Sequence, residues 1–85
     1  MTNKQLQEFY DTNEKTAPGL GKASLQPENL PEPILREILT NPKKYIVLLS
    51  KLLDLPELET LVMLRTEAIK RNRDDAQRLI DIEMN

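Results

Sequence analysis

The 85-residue sequence contains no cysteine and no histidine, and its only aromatic residues are one phenylalanine and two tyrosines. Without cysteine no disulfide can form, and without histidine as well the usual soft ligands of zinc are missing. A chain this short buries only about 60% of the surface that its unfolded form exposes. Small domains therefore depend on disulfides, metals or association for stability. Of these three, association with a partner or with a second copy is the one left for this chain.

The same absences bear on catalysis, because the common nucleophile–base pairs of enzymes use cysteine or histidine. The glycine-containing segment Gly19–Lys22 is followed by Ala23, at the position where a phosphate-binding loop requires serine or threonine. The acidic residues of the C-terminal half lie at expected helix starts or beside basic residues, as on a solvated helix surface. We therefore expect no enzymatic activity, no cofactor, no metal site and no small-molecule substrate.

The chain also has no excess of positive charge and no long apolar run. The formal net charge is −2, which disfavours general affinity for nucleic acid. The longest uncharged apolar run, residues 45–50, is far shorter than the roughly 20 residues that span a bilayer. The first five residues start no apolar signal segment. These observations predict no membrane insertion and a cytoplasmic location.

Prolines, glycines and apolar residues are unevenly distributed along the chain. Four of the six prolines and both glycines lie between residues 18 and 33, whereas most apolar side chains follow residue 33. This predicts an N-terminal arm over 1–32 and a helical module over 33–85. In the arm, Thr2 as N-cap and the helical spacing of Leu6, Phe9 and Tyr10 predict a short helix at 3–14. The prolines that follow favour an extended strap.

The module is predicted to be a small all-α bundle of three to four helices, at about 33–39, 42–53 and 56–84. Pro33, Pro42 and Pro56 each suit a first helical turn. The helix at 42–53 is apolar on most of its circumference, which indicates a central position. The last helix is predicted to be continuous, with a break near Asn72 as the alternative. Glu67 with Arg71 and Asp74 with Arg78 are predicted ion pairs along it.

A continuous last helix would be about 43 Å long, and its 12-residue neighbour would cover about 18 Å of it. Three arrangements could cover the distal half: the arm folds back, the helix breaks and returns, or another chain packs there. The spacing also fits a coiled-coil seam, in which an asparagine would specify the register. Two sets of residues alternate along this seam. The first set is Leu58, Arg65, Asn72 and Leu79, and the second is Val62, Ile69, Ala76 and Glu83.

The leading functional hypothesis is a non-enzymatic protein–protein interaction or assembly protein: a small helical adaptor, regulator, chaperone or structural subunit. It would bind a protein partner, form a homo-oligomer, or do both. The distal face of the last helix and the arm are the predicted contact surfaces. The predicted partner-binding residues are Phe9, Tyr10, Asn72, Ala76, Leu79, Ile80, Ile82 and Met84.

The alternative hypothesis comes from residues 50–65. This segment has a leucine pair at Leu52 and Leu53, a tight turn, Pro56, and Thr60 leading into the next helix. It resembles the helix-turn-helix of sigma-factor region 4. The resemblance implies a DNA-binding or transcription-regulatory module built from helices at about 42–53 and 56–71. Asp54 stands where that family usually has glycine, and the second helix begins with acidic residues that would face phosphates.

Overall fold

Six α-helices and one short 3₁₀ turn make up the secondary structure of the computed structural model, which describes residues 1–85. No strand is present, so the predicted all-α bundle is confirmed. In chain order the helices are α1 (Asn3–Thr16), α2 (Leu20–Ser24), α3 (Glu32–Thr40), α4 (Pro42–Leu53), α5 (Glu57–Lys70) and α6 (Asp74–Met84), with the 3₁₀ turn at Pro27–Asn29 between α2 and α3.

Helix α4 lies at the centre of the bundle, as its nearly all-round apolar character predicts. It packs against α1, α3, α5 and α6, and it buries Tyr45, Ile46, Leu49 and Leu53. Fifteen buried apolar side chains from all along the chain form a single cluster around it. The predicted bounds of this helix, 42–53, are confirmed.

Helix α1 is anchored to α4. Thr2 caps it as predicted, in a capping box with Gln5, and the helix runs two residues beyond the predicted 3–14. The Tyr45 hydroxyl donates a 2.7 Å hydrogen bond to the Met1 carbonyl, and Asn3 Nδ2 donates one of 3.0 Å to the Lys44 carbonyl. Leu6 is fully buried. Because a 14-residue helix is marginal alone in water, these contacts are what hold α1 in place.

The segment after α1 folds back in short helices, where an extended strap was predicted. Gly19 turns the chain with φ of 86°, a conformation that glycine adopts without steric cost. The Glu14 carboxylate accepts hydrogen bonds from the backbone N–H of Gly19 and Gly21, which satisfies the first turn of α2. Leu25 and Leu30 then enter the core, while Leu20 stays exposed.

Helices α4 and α5 are joined by a three-residue connection, residues 54–56. Asp54 closes α4 in the left-handed conformation, with φ of 57°. The N–H groups of Asp54 and Leu55 donate to the Lys51 and Ser50 carbonyls, at 3.2 and 3.0 Å. This is the bonding of a Schellman motif. Helix α5 starts after Pro56 without a side-chain cap.

The prediction of one continuous helix over 56–84 is wrong, and the alternative break near Asn72 is confirmed. Asn72 adopts a left-handed conformation with φ of 55°. The Arg73 N–H donates to the Ala68 carbonyl at 2.8 Å, and the Asn72 N–H donates to the Ile69 carbonyl at 3.1 Å. This second Schellman motif ends α5, and Asp74 begins α6 without capping it. Asn72 is therefore a turn residue, and the long coiled-coil seam does not exist within this chain.

Candidate interaction surface

The break makes α5 and α6 into a helical hairpin, which decides what is exposed. Helix α6 packs against α5 and α4, and its Ala76 and Ile80 are fully buried in the chain's own core. Arg65 Nε of α5 donates to Asp81 Oδ1 of α6 at 2.7 Å. Of the three arrangements that could cover the distal half, the structure has the returning helix. No helix combines the length and the apolar character needed to cross a membrane.

Helix α5 is apolar on two sides, and only one of them is covered. Leu61, Leu64 and Ala68 face the core. On the other side, Leu58, Val62 and Ile69 expose 56%, 47% and 49% of their surface. These three residues lie within about 40° of one another around the helix, because positions four and eleven apart nearly coincide. We call Leu58, Val62 and Ile69 the α5 stripe.

The α5 stripe was not among the predicted partner-binding residues. In the sequence these three residues belong to the predicted coiled-coil seam. In the structure they are about half exposed, whereas Leu61, Leu64 and Ala68 of the same helix are buried in the core. A signal was present in the sequence: α5 has more apolar positions than one buried face can hold, and the seam spacing marked the exposed set.

The charges around the α5 stripe change sign along the helix. Glu57 and Glu59 lie in the first turn and are exposed. Lys70 is the last residue, exposed, with its Nζ 3.6 Å from Glu67. Arg65 lies between Val62 and Ile69 on the same side, and its charge is offset by Asp81. The surface is thus an apolar stripe with an acidic start and a basic end.

Only some of the residues predicted to bind a partner on α6 are accessible. Ala76 and Ile80 are not, because the returning helix buries them, and Met84 is partly buried against the core. Leu79 and Ile82 are exposed. They lie about 160° and 100° around α6 from Asp81, the residue that contacts Arg65 of α5. Asn72 is exposed at the turn.

The two predicted contact residues of the arm are partly buried within the chain. Phe9 lines an open groove of about 530 Å³ between α1 and α3, together with Ile34. Tyr10 packs on α2, where a Cβ added at Gly21 would meet the Tyr10 carbonyl oxygen at 2.9 Å. The absence of a side chain at Gly21 is what allows α2 to approach α1. Tyr10 therefore holds α1 and α2 together.

The polar clusters of the chain are engaged in holding its helices. Arg71 links α3 to α5, with its guanidinium 2.7 Å from Glu32 and 3.3 Å from the buried Glu67, the second of these being a predicted pair. The predicted Asp74–Arg78 pair does not form. Arg73 instead donates two hydrogen bonds to Asp75, which lower the pKa of that carboxyl to about 2. No group of three carboxylate, histidine or cysteine side chains is placed to hold a metal ion.

Comparison with protein-family models, with curated proteins and with solved structures finds no match to this chain. The fold and the exposed surface are therefore the observations from which its function is inferred.

Proposed function

We propose that this chain is a non-enzymatic protein–protein interaction or assembly protein that binds through the α5 stripe. The observation that carries the proposal is the exposure of Leu58, Val62 and Ile69 along one side of one helix. Fully burying a side chain of this type is worth roughly 1.5–3 kcal/mol, and each of the three has about half of its surface left to bury. A row of three is a surface that another helix can cover, in the manner of helix-in-groove recognition.

The α5 stripe differs from the isolated apolar residues that every surface contains. Val47 on α4 is exposed to 65%, but its neighbours one turn away, Lys43 and Lys51, are charged and exposed. Single exposed residues of this kind are normal and need no partner. Val47 therefore provides a matched control for Val62: the same residue type, exposed on a helix, outside the stripe.

The helix-turn-helix alternative has one feature in its favour. Asp54 adopts the left-handed conformation at the position where the sigma-factor family usually has glycine. The exposed side of α5 argues against DNA, however, because it begins with Glu57 and Glu59 and continues with the apolar stripe. A helix that enters the major groove needs polar side chains for base edges and no carboxylates near phosphates. Protein binding is therefore the better supported of the two. A non-catalytic role in the cytoplasm is part of the proposal.

Photo-cross-linking in the cells that produce the protein tests this function. A photoreactive amino acid placed at Val62 should yield a covalent adduct with another polypeptide, and the same group at Val47 should yield none. The mass of the adduct distinguishes a second copy from a foreign protein. If Val62 and Val47 give equally few adducts, the α5 stripe is not an interaction surface and the proposal fails.

A further inference from the structure

We propose that the α5 stripe is covered by a second copy of this chain, with the two α5 helices packed antiparallel about a twofold axis. The inference rests on the proposed function, since it names the partner for the same surface. Two observations favour a second copy: the spacing of the exposed residues along α5, and the distribution of charge at the ends of this helix.

The exposed side of α5 is spaced for packing against a helix of the same sequence. Leu58, Val62, Arg65 and Ile69 follow one another in steps of four, three and four residues, which is the spacing of a coiled-coil seam. The order of steps is the same in both directions. An antiparallel copy can therefore place Leu58 against Ile69 of the second copy, and Val62 against Arg65 of the second copy. A twofold axis repeats each contact, as in other isologous dimers.

The charges at the two ends of α5 complement each other in the same register. The first turn carries Glu57 and Glu59, and the last turn carries Lys70. An antiparallel pair brings each acidic end beside the basic end of the other helix, and it places Glu59 on the same flank as Lys70 of the second copy. A parallel pair would bring like charges together, which costs stability. The helix dipoles also favour the antiparallel arrangement.

Arg65 is compatible with a position inside the contact. Its charge is already offset by Asp81 at 2.7 Å, so no unpaired charge would be enclosed. Arginine side chains cover apolar surface with their methylene groups while the guanidinium stays at the edge, and arginine is enriched in protein interfaces. The methylene groups of Arg65 are thus suited to pack on Val62 of the second copy.

The contact is formed by one 14-residue helix on each side. It is small beside the roughly 1,200–2,000 Å² of total surface buried in stable complexes. We therefore expect a dimer that dissociates on dilution. The chain has no cysteine of its own, so single introduced cysteines report the register without interference.

Disulfide cross-linking in a glutathione buffer tests the register. In the proposed pair, the two copies of Val62 are offset by three residues, about 4.5 Å along the axis, whereas the two copies of Leu58 are offset by eleven, about 16 Å. A disulfide requires Cα atoms within about 7 Å. Val62→Cys should therefore form a homodimer, and Leu58→Cys should not. A mixture of Leu58→Cys and Ile69→Cys should form the mixed dimer in preference to either homodimer.

Val47→Cys is the control for random collision, and circular dichroism checks that every variant is folded. We expect Val62→Cys to cross-link about tenfold faster than Val47→Cys or more, since pairing raises the effective thiol concentration. Equal rates for the two would overturn the second copy as the partner. Homodimers of Leu58→Cys as fast as those of Val62→Cys would overturn the antiparallel register. A foreign adduct at Val62 in cells would then leave the interaction function standing, whereas the absence of any adduct would remove both.

Discussion

Arg65 Nε lies 2.7 Å from Asp81 Oδ1, across the hairpin of α5 and α6 and beside the α5 stripe. The ion pair offsets the one charge that lies among the exposed apolar residues. It lies on the side of α6 that faces α5, while the burial of Ala76 and Ile80 holds α6 on the core.

Replacement of Arg65 and Asp81 by alanine, singly and together, should give a coupling free energy of about 0.2–1 kcal/mol. The value is small because both side chains are more than a third exposed, at 38% and 42%. Urea denaturation at one low protein concentration measures it. The pair Asp74 and Arg78, which the sequence predicts but which does not form, is the control and should give a coupling near zero. Equal coupling in both pairs would contradict the hairpin geometry.

Substitution of Asn72 by glycine distinguishes the hairpin from a continuous helix. Glycine adopts the left-handed conformation without the steric cost of a Cβ, so Asn72→Gly should raise the free energy of unfolding by a few tenths of a kcal/mol to about 1 kcal/mol. Asn72→Val should lower it by about 1–2 kcal/mol. In a continuous helix glycine would instead be destabilising relative to alanine by about 0.5–1 kcal/mol. A loss of stability in Asn72→Gly, with a gain in Asn72→Ala, would therefore refute the break.

The docking of α2 on α1 depends on the missing side chain at Gly21. Gly21→Ala should lower the free energy of unfolding by about 1–3 kcal/mol, because the new Cβ would meet a backbone oxygen that cannot rotate away. Thermal and urea denaturation measure the loss. Gly19 is the control for backbone effects, since a Cβ there meets nothing within 4 Å and only its φ of 86° matters. Gly19→Asn should be tolerated better than Gly21→Ala, and the reverse order would contradict the packing.

The bond from Arg73 to Asp75 predicts a contribution to stability that depends on pH. The pKa of Asp75 is about 2 in the folded chain, against an ordinary value of 3.8, chiefly because it accepts hydrogen bonds from Arg73. A lowered pKa stabilises the fold above pH 3.8, and the contribution is lost as the pH falls through about 2. Asp75→Asn should therefore show a flatter dependence of unfolding midpoint on pH across this range. An unchanged slope would show that the bond is absent in solution.

The sequence predicts the helices better than their connections, for physical reasons. Periodic apolar residues and first-turn prolines locate α3 and α4, because these signals are local. The turn at Asn72 is harder to predict, since a residue other than glycine in the left-handed conformation is uncommon and the apolar phase continues through it. The α2 segment is harder still, because its five residues form a helix only through Glu14 and the close approach of Gly21 to Tyr10.

The candidate interaction surface, too, could be predicted only in part from the sequence. Its spacing is visible in the sequence, since Leu58, Val62, Arg65 and Ile69 belong to the predicted seam. Their exposure cannot be predicted from the sequence, because it depends on which side of α5 is covered by the returning helix α6. Ile80 illustrates the consequence. With a continuous last helix it is predicted to contact a partner, but because the chain turns at Asn72 it is a core residue.

Sedimentation equilibrium over a wide range of protein concentration tests the central claim most directly, with wild type, Val62→Glu and Val47→Glu side by side. We predict that the wild-type mass rises with concentration from 9.8 kDa toward twice that value. Val47→Glu should follow the wild type, and Val62→Glu should stay at the monomer mass while keeping its helical circular dichroism. A wild type that remains monomeric at every concentration, or equal behaviour of the two glutamate variants, would contradict the assignment of the α5 stripe to a second copy.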